Sequence, residues 1–269
     1  MAQGPDLADR ARGLFDQRHL SGAVLIQDVR TGSTIASVSV GDGANGLPLS
    51  VVKLLLMTLY WEHRDDAPAS LAPDVGRIIA RGADDPGRRL ALDLRRALGS
   101  RRLLGTLARL GFPGCTRTRI QDCTTLSAAT PGPAWANSLS LGENGFRVTP
   151  HGLSRFLRII GNGGIGPRGE RVVRPSTARL LQQAMLETVR SGTASGVRER
   201  LGTRGRMGGK TGTGPGGPRP YDGVFAGLIF DAAGTPRYTV VTYVRRGGPG
   251  GGVAAEISAE LGARLLAAR

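Results

Sequence analysis

The segments of this 269-residue chain that resemble β-strands lie near its two ends, and a long stretch with helical patterning separates them. Each segment is a short apolar or alternating run bounded by turn residues, which is the pattern of a strand. They are residues 23–26, 34–40, 206–212, 221–230 and 238–245. Strands grouped in this way, rather than alternating with helices, predict an α+β fold with an antiparallel five-stranded sheet flanked by helices.

Helical spacing of apolar residues and helix start signals predict the remaining elements. The predicted helices are residues 5–18, 50–64, 70–112, 150–164, 175–190 and 254–269. The helix over 50–64 is almost wholly apolar inside, so we expect it to be buried. Residues 113–149 are rich in Gly, Pro, Ser and Thr and are predicted to be irregular. We predict a single domain over 1–269, with a sheet lobe of 1–49 and 190–269 and an inserted, mainly helical lobe of 50–189.

The use of lysine is the sharpest chemical signal in the sequence. Of 36 basic residues only two are lysines, Lys53 and Lys210, and the other 34 are arginines. Lysine can lose its proton in a desolvated site and act as a base, whereas the guanidinium of arginine stays charged. A chain that otherwise uses arginine therefore needs a chemical reason for these two positions.

Lys53 follows Ser50 by three residues at the predicted start of a helix. Positions i and i+3 share a helix face, so the amine can reach the hydroxyl. The backbone N–H groups at the helix N-terminus point toward Ser50. Ser50 is the candidate nucleophile, and Lys53 is its candidate base.

Lys210 lies in the strand-like segment GGKTGTG. Glycines here would let the strand edge lie against a substrate backbone. Thr211 and Thr213 offer hydroxyl groups for a carboxylate, and Gly212 lies between them. The amides of Thr213 and Ser50 could together form an oxyanion hole.

Ser-x-x-Lys followed by Lys-Thr-Gly is the signature of class A β-lactamases and penicillin-binding proteins, and the chain resembles that superfamily. The segments GAVLIQDVRTGSTIASVS, LSLGENGFRVTPHGLSRFLRIIGNGG, SGTASGV and FAGLIFD are similar to segments of penicillin-binding transpeptidases. The acidic loop motif that serves deacylation in class A β-lactamases is not found. The resemblance therefore favours the transpeptidase branch and implies the corresponding fold.

The middle motif of the family, Ser-x-Asn, is altered here. By its position it should fall near residues 81–85, and Asp84 or Asp85 could occupy the place of the Asn. A carboxylate beside Lys53 would stabilise the ammonium and raise the pKa of Lys53, which works against a base role. The favoured interpretation is that both aspartates cap the helix or pair with Arg81 or Arg88. Asp84 is kept as a candidate substrate-binding residue; Glu143, a candidate for positioning water, more simply belongs to a loop.

The resemblance implies a serine D,D-transpeptidase or carboxypeptidase that acts on D-Ala-D-Ala peptides of peptidoglycan and is acylated by β-lactams. One alternative is a β-lactamase or D-amino-acid esterase or amidase on the same scaffold. A second, without turnover, is a β-lactam sensor or an impaired envelope scaffold. All three functions stay open at the level of the sequence.

The net charge of +15 is most simply explained by solvated arginines in an arginine-rich chain, and the alternative is an anionic cell-wall or membrane surface as partner. Nucleic acid is not expected as a partner, because the arginines are scattered and aromatic residues make up only 4%, too few for a stacking platform. The expected partners are a peptidoglycan stem peptide or a β-lactam.

The first residues lack the features of a signal peptide. We expect a cell-envelope location, periplasmic or on the outer face of the membrane, with a signal, a membrane anchor or an envelope partner that is not part of this chain.

The cysteines and histidines of the sequence indicate no catalytic or metal-binding site. Cys115 and Cys123 could form a disulfide in an oxidising compartment or remain two free thiols. The histidines His19, His63 and His151 are isolated from each other and are expected at the surface or in packing roles. No metal motif is present, and no cofactor is expected.

Overall fold

The computed structural model describes residues 4–41, 48–68, 71, 73–119, 121–130, 132–214 and 221–268. Its strands are β1 (Ser21–Asp28), β2 (Thr34–Val40), β3 (Cys123–Thr124), β4 (Phe146–Arg147), β5 (Gly205–Gly214), β6 (Asp222–Asp231) and β7 (Pro236–Arg245). Five of them form one antiparallel sheet in the order β2-β1-β7-β6-β5, and β3 pairs with β4. The predicted α+β fold with a five-stranded antiparallel sheet is confirmed.

The helices surround this sheet and fill the middle of the chain. They are α1 (Gly4–Asp16), α2 (Val52–Glu62), α3 (Asp84–Leu98), α4 (Ser100–Arg109), α5 (Gly132–Leu141), α6 (Pro150–Gly161), α7 (Pro175–Arg190) and α8 (Val253–Ala267). The predicted helix over 70–112 is divided into a π-helical turn, Gly76–Ala80, followed by α3 and α4. Gly99 separates the latter two with a φ of 74°, a conformation that glycine adopts readily.

Helix α5 is the main element that the sequence did not predict. It lies within the segment expected to be irregular, where Gly, Pro and Ser lower intrinsic helix propensity. Trp135 and Leu139 are both fully buried in the same core as residues of α2 and α3. Burial of this apolar face stabilises a helix that local propensity does not favour.

Two apolar cores lie on opposite faces of the sheet. One face packs on α1 and α8, through residues such as Phe15 and Leu261. The other packs on α6 and α7 and continues into α2, α3, α4 and α5. Every residue of α2 is buried except Tyr60 and Glu62, which confirms the expected buried helix. The division into a sheet lobe and an inserted helical lobe stays a prediction.

Cys115 and Cys123 are joined by a disulfide bond, which selects one of the two states left open by the sequence. His63 is buried and shares a hydrogen bond of 2.9 Å with the Thr106 hydroxyl, whereas His19 and His151 are exposed. Within the described ranges, no cluster of His, Cys, Asp and Glu could hold a metal ion. No helix in those ranges is long and apolar enough to span a bilayer.

Candidate active site

Ser50 lies in a single 3₁₀ turn, Leu49–Val51, that leads directly into α2. Leu49, just before the serine, has a φ of 51°, which is unusual for a residue with a side chain. Such a conformation persists only where the surrounding structure enforces it. A Cβ on Gly142 would lie 2.5 Å from the Leu49 carbonyl oxygen, and one on Gly214 would lie 2.2 Å from Leu49 Cδ2. Close contact with glycine backbones therefore holds the turn that presents Ser50.

Lys53 lies one helical turn after Ser50, and its side chain has no solvent exposure. Its Nζ lies 2.8 Å from Ser50 Oγ, 3.1 Å from the carbonyl oxygen of Gly82 and 2.6 Å from Asp84 Oδ1. These three contacts bring together the candidate nucleophile, the candidate base and the segment of the altered middle motif.

The favoured interpretation, that both aspartates cap the helix or pair with Arg81 or Arg88, is wrong for Asp84. Asp84 forms an ion pair with Lys53, and only Asp85 pairs with Arg88. Both aspartates lie in the first turn of α3. Only Asp84 is turned toward α2, whereas the Asp85 side chain is 74% exposed. The position along α3 decides which carboxylate reaches the site.

The pKa of Lys53 is lowered from its ordinary value of 10.5, although a carboxylate was expected to raise it. Burial is the largest cause, because it penalises the charged amine. The hydrogen bond and the charge of Asp84 raise the pKa but do not offset burial, and the positive charge of Arg88 lowers it further. The direction favours a base role for Lys53.

Lys210 lies in β5, is 1% exposed and donates a hydrogen bond of 2.8 Å to the carbonyl oxygen of Thr211. Burial lowers the pKa of Lys210 to about 7, helped by the positive charge of Lys53 and opposed by Asp84. A Cβ on Gly82 would lie 3.4 Å from Lys210 Nζ. Gly82 therefore lies between the two lysines, with its carbonyl group bonded to Lys53.

The hydroxyl groups of the Lys-Thr-Gly segment have partners from other parts of the chain. Thr211 Oγ1 lies 2.6 Å from Thr193 Oγ1, and the amide of Thr193 donates to the carbonyl oxygen of Ala80 at 2.9 Å. Thr213 is exposed, and its hydroxyl accepts a hydrogen bond of 3.2 Å from the amide of Gly250. Thr193 and the loop at Gly250 thus belong to the surroundings of the site.

A buried carboxylate supports the loop that contains Gly250. Asp222 is 7% exposed and accepts hydrogen bonds from the Tyr243 hydroxyl at 2.5 Å and from the Arg246 amide at 2.9 Å. Burial, together with the hydrogen bond and charge of Asp222, raises the pKa of Tyr243 above its usual range. The start of the loop after β7 is therefore fixed next to β6.

The predicted site residues thus come from separate parts of the sequence to one place. The structure brings Ser50, Lys53, Asp84 and Lys210 together, with Thr211 next to Lys210 along β5. Glu143 lies in the loop between α5 and β4 with an exposed side chain. The sequence patterns did not indicate Gly82 as a neighbour of both lysines or Thr193 as the partner of Thr211. The only sequence signal for Gly82 is that it stands at the position of the serine in the Ser-x-Asn motif. The only signal for Thr193 is the Gly-Thr-Ala segment that contains it.

Residues 89–262 match the family described as penicillin binding protein transpeptidase domain. The matched segment contains Lys210 and Thr211, whereas Ser50, Lys53 and Asp84 precede it. The comparison with curated protein sequences gives no match.

Solved structures of several transpeptidases share the fold. The transpeptidase domain of the FtsI4 D,D-transpeptidase from Legionella pneumophila has a TM-score of 0.74 at 19% identity, covering 98% of this chain and 96% of that one. A D,D-transpeptidase domain from Eggerthella lenta gives 0.73 at 16% identity, with 97% and 81% covered. Penicillin binding protein 3 from Mycobacterium tuberculosis, complexed with aztreonam, gives 0.72 at 19% identity, with 98% and 77% covered.

Proposed function

The chain belongs to the penicillin-binding protein transpeptidase domain family, and on that premise we propose that it is a serine D,D-transpeptidase or carboxypeptidase for D-Ala-D-Ala peptides of peptidoglycan that β-lactams acylate. One observation carries the proposal. Lys53 Nζ lies 2.8 Å from Ser50 Oγ inside a buried site that also contains Lys210. A nucleophile in contact with a desolvated amine is the arrangement that acyl transfer needs.

In the proposed reaction, Ser50 Oγ attacks the penultimate carbonyl carbon while its proton passes to neutral Lys53. The amides of Ser50 and Thr213 stabilise the oxyanion. The proton on Lys53 then goes to the leaving amine nitrogen as the peptide bond breaks, leaving the acyl group on Ser50. An amine acceptor or water resolves this ester.

The terminal carboxylate of the peptide is bound, in this proposal, by Lys210, Thr211 and Thr213. Lys210 is the only one of the three with a charge, and it is buried with its Nζ 2.8 Å from the backbone carbonyl oxygen of Thr211. Gly212 lets β5 approach the nucleophile. The structure gives Asp84 a contact with Lys53, so we propose that it acts on that lysine as well as bordering the substrate.

Mass spectrometry of the intact protein during penicillin treatment tests the proposal. We expect a mass increase equal to the β-lactam, located at Ser50 by peptide mapping and lost in Ser50→Ala. Ser37→Ala, an exposed serine on β2, is the matched control and should be acylated like the wild type. A wild-type protein that stays unlabelled at high penicillin concentration would count against the proposed function.

The time course separates the alternatives on the same scaffold. A stable acyl-enzyme together with turnover of a D-Ala-D-Ala peptide supports the transpeptidase or carboxypeptidase. Rapid loss of the adduct with β-lactam consumption indicates a β-lactamase or esterase. A persistent adduct without turnover of any peptide or acceptor indicates a sensor or an impaired scaffold.

Transpeptidase domains of this family act on cell-wall peptidoglycan outside the cytoplasm. We propose the cell envelope as the location of this protein for the same reason. The expected macromolecular partner is the peptidoglycan stem peptide, and the proposed chemistry needs no metal or cofactor.

A further inference from the structure

The contacts of Lys53 Nζ, and the charges of its partners, bear on the protonation state of the amine. A lysine ammonium has three N–H groups and no lone pair. Lys53 Nζ has three oxygen partners within 3.1 Å: Ser50 Oγ, the Gly82 carbonyl and Asp84 Oδ1. A carbonyl and a carboxylate oxygen can only accept, so at least two of the three bonds need hydrogens on the lysine. The contact with Ser50 Oγ suits either a third hydrogen of the ammonium or the lone pair of the neutral amine, which accepts from the serine hydroxyl. The negative charge of Asp84, 2.6 Å from Nζ, is what favours the ammonium.

The ammonium form of Lys53 has one proton more than the form that can act as a base. As an ammonium, Lys53 has no lone pair and cannot accept the proton of the serine. Lys53 has to lose a proton before Ser50 can be activated. The group that opposes this loss is the one with a negative charge in contact with Nζ, which is Asp84.

Asp84 also differs from Lys53 in its contact with solvent. The Asp84 side chain is 49% exposed, whereas that of Lys53 has no exposure. Asp84 therefore retains much of its hydration while it compensates a fully desolvated charge. An asparagine at this position could accept the same hydrogen bond through its amide oxygen, but without the charge. The distinctive contribution of Asp84 is its negative charge.

We propose that Asp84 is a positioning residue that holds Lys53 in its charged form in the free enzyme, so that acylation of Ser50 waits for Lys53 to release a proton. This inference rests on the proposed function. No net proton is consumed: Lys53 releases one proton to solvent, accepts that of Ser50 and passes it to the leaving nitrogen, and then recovers one. Asp84 thus sets the pH above which the site becomes active.

The charges around Lys53 decide the sign of the expected effect. Asp84 and Arg88 approach it from α3, and Lys210 from β5. Removing the charge of Asp84 leaves three positive groups, Lys53, Arg88 and Lys210, near each other without this counter-charge. Both lysines then lose their protons at lower pH, so the whole pH profile of acylation moves in the acid direction.

The test is the second-order rate of acylation by a fluorescent penicillin from pH ~5 to pH ~9, measured for wild type and Asp84→Asn. The acid limb of the pH–rate profile is the range in which the acylation rate rises with pH. We expect this limb to lie at a pH about 1 unit or more lower for Asp84→Asn than for wild type, as for loss of an opposite charge in direct contact. On that limb the rate of the variant should exceed the wild-type rate by about tenfold for each pH unit that the limb moves. Above neutral pH it should fall below the wild-type rate, because Lys210 also loses its charge earlier.

Two variants provide the controls. Asp85→Asn removes a neighbouring carboxylate that pairs with Arg88 and should leave the acid limb in place. Asp84→Glu keeps the charge and should keep the limb close to that of the wild type. Thermal unfolding of each variant shows that it is folded before rates are compared.

The outcomes separate this inference from the function on which it rests. An Asp84→Asn acid limb that coincides with the wild-type limb, or a rate lowered equally at every pH, overturns the role of Asp84. Wild-type protein that is not acylated at Ser50 at any pH overturns the proposed function instead.

Discussion

A Cβ atom on Gly212 would lie 3.3 Å from the backbone nitrogen of Ser50, so these two residues meet with no side chain between them. The same atom would lie 2.8 Å from Leu49 Cβ and 2.6 Å from Val224 Cγ1. Strand β5 can therefore lie against the serine turn only with glycine at this position. The close approach places Lys210 and Thr211 in the same site as the candidate nucleophile.

Gly212→Ala should separate the strand from Ser50. A methyl group here forces Leu49 or the β5 backbone to move, and overpacking of this kind costs about 1–3 kcal/mol. We expect acylation by penicillin to fall by at least about 10²-fold, because small displacements of reacting groups are costly. Acylation kinetics and the thermal unfolding midpoint are the measurements.

The control for that variant is Gly105→Ala. Gly105 lies in α4, and a Cβ there would have no atom within 4 Å. Alanine is favoured over glycine inside a helix, so stability should rise by about 0.5–1 kcal/mol with unchanged acylation. If Gly212→Ala were acylated as fast as the wild type at wild-type stability, the strand contact would not matter for the site.

Lys210→Met should make the folded protein more stable at low pH. Burial lowers the pKa of Lys210 from 10.5 in the unfolded chain to about 7. Between these values the unfolded state binds more protons than the folded state, so stability rises with pH. Below about pH 7 the full cost of burying the charge is present. Methionine removes this cost, and its advantage should shrink as the pH increases from about 7 toward 10.5.

Urea unfolding of Lys210→Met and wild type at a series of pH values tests this sign. Arg200→Met, at an exposed position, is the control and should track the wild type at each pH. We expect Lys210→Met also to lose affinity for carboxylate-bearing ligands. An advantage that grew with rising pH would contradict the assigned direction.

Tyr243→Phe should destabilise the fold through Asp222. The variant leaves a carboxylate oxygen of a 7% exposed side chain without its 2.5 Å hydroxyl donor. Removing one partner of a buried charged group costs about 1–3 kcal/mol, more than an ordinary hydrogen bond. Tyr60→Phe removes a bond to the neutral carbonyl of Leu71 and should cost less. Chemical denaturation of both variants makes the comparison, and equal losses would show that the charge of Asp222 adds nothing.

The sheet and most helices could be predicted because their signals are local. Apolar or alternating runs indicated β6 and β7, and an apolar run after Pro48 indicated α2. Helix α5 could not be predicted, since its stability comes from the burial of Trp135 against distant parts of the chain. Tertiary packing overrides weak propensity at such a segment.

The sequence by itself determined which groups carry the candidate chemistry. A chain with two lysines among 36 basic residues selects Lys53 and Lys210, and the three-residue spacing from Ser50 selects the nucleophile. The tertiary structure decided that Asp84, and not Asp85, contacts Lys53, that Gly82 lies between the two lysines, and that Thr193 contacts Thr211. It also decided the direction in which the pKa of Lys53 is shifted. Desolvation depends on everything packed around a group and not on its neighbours in sequence.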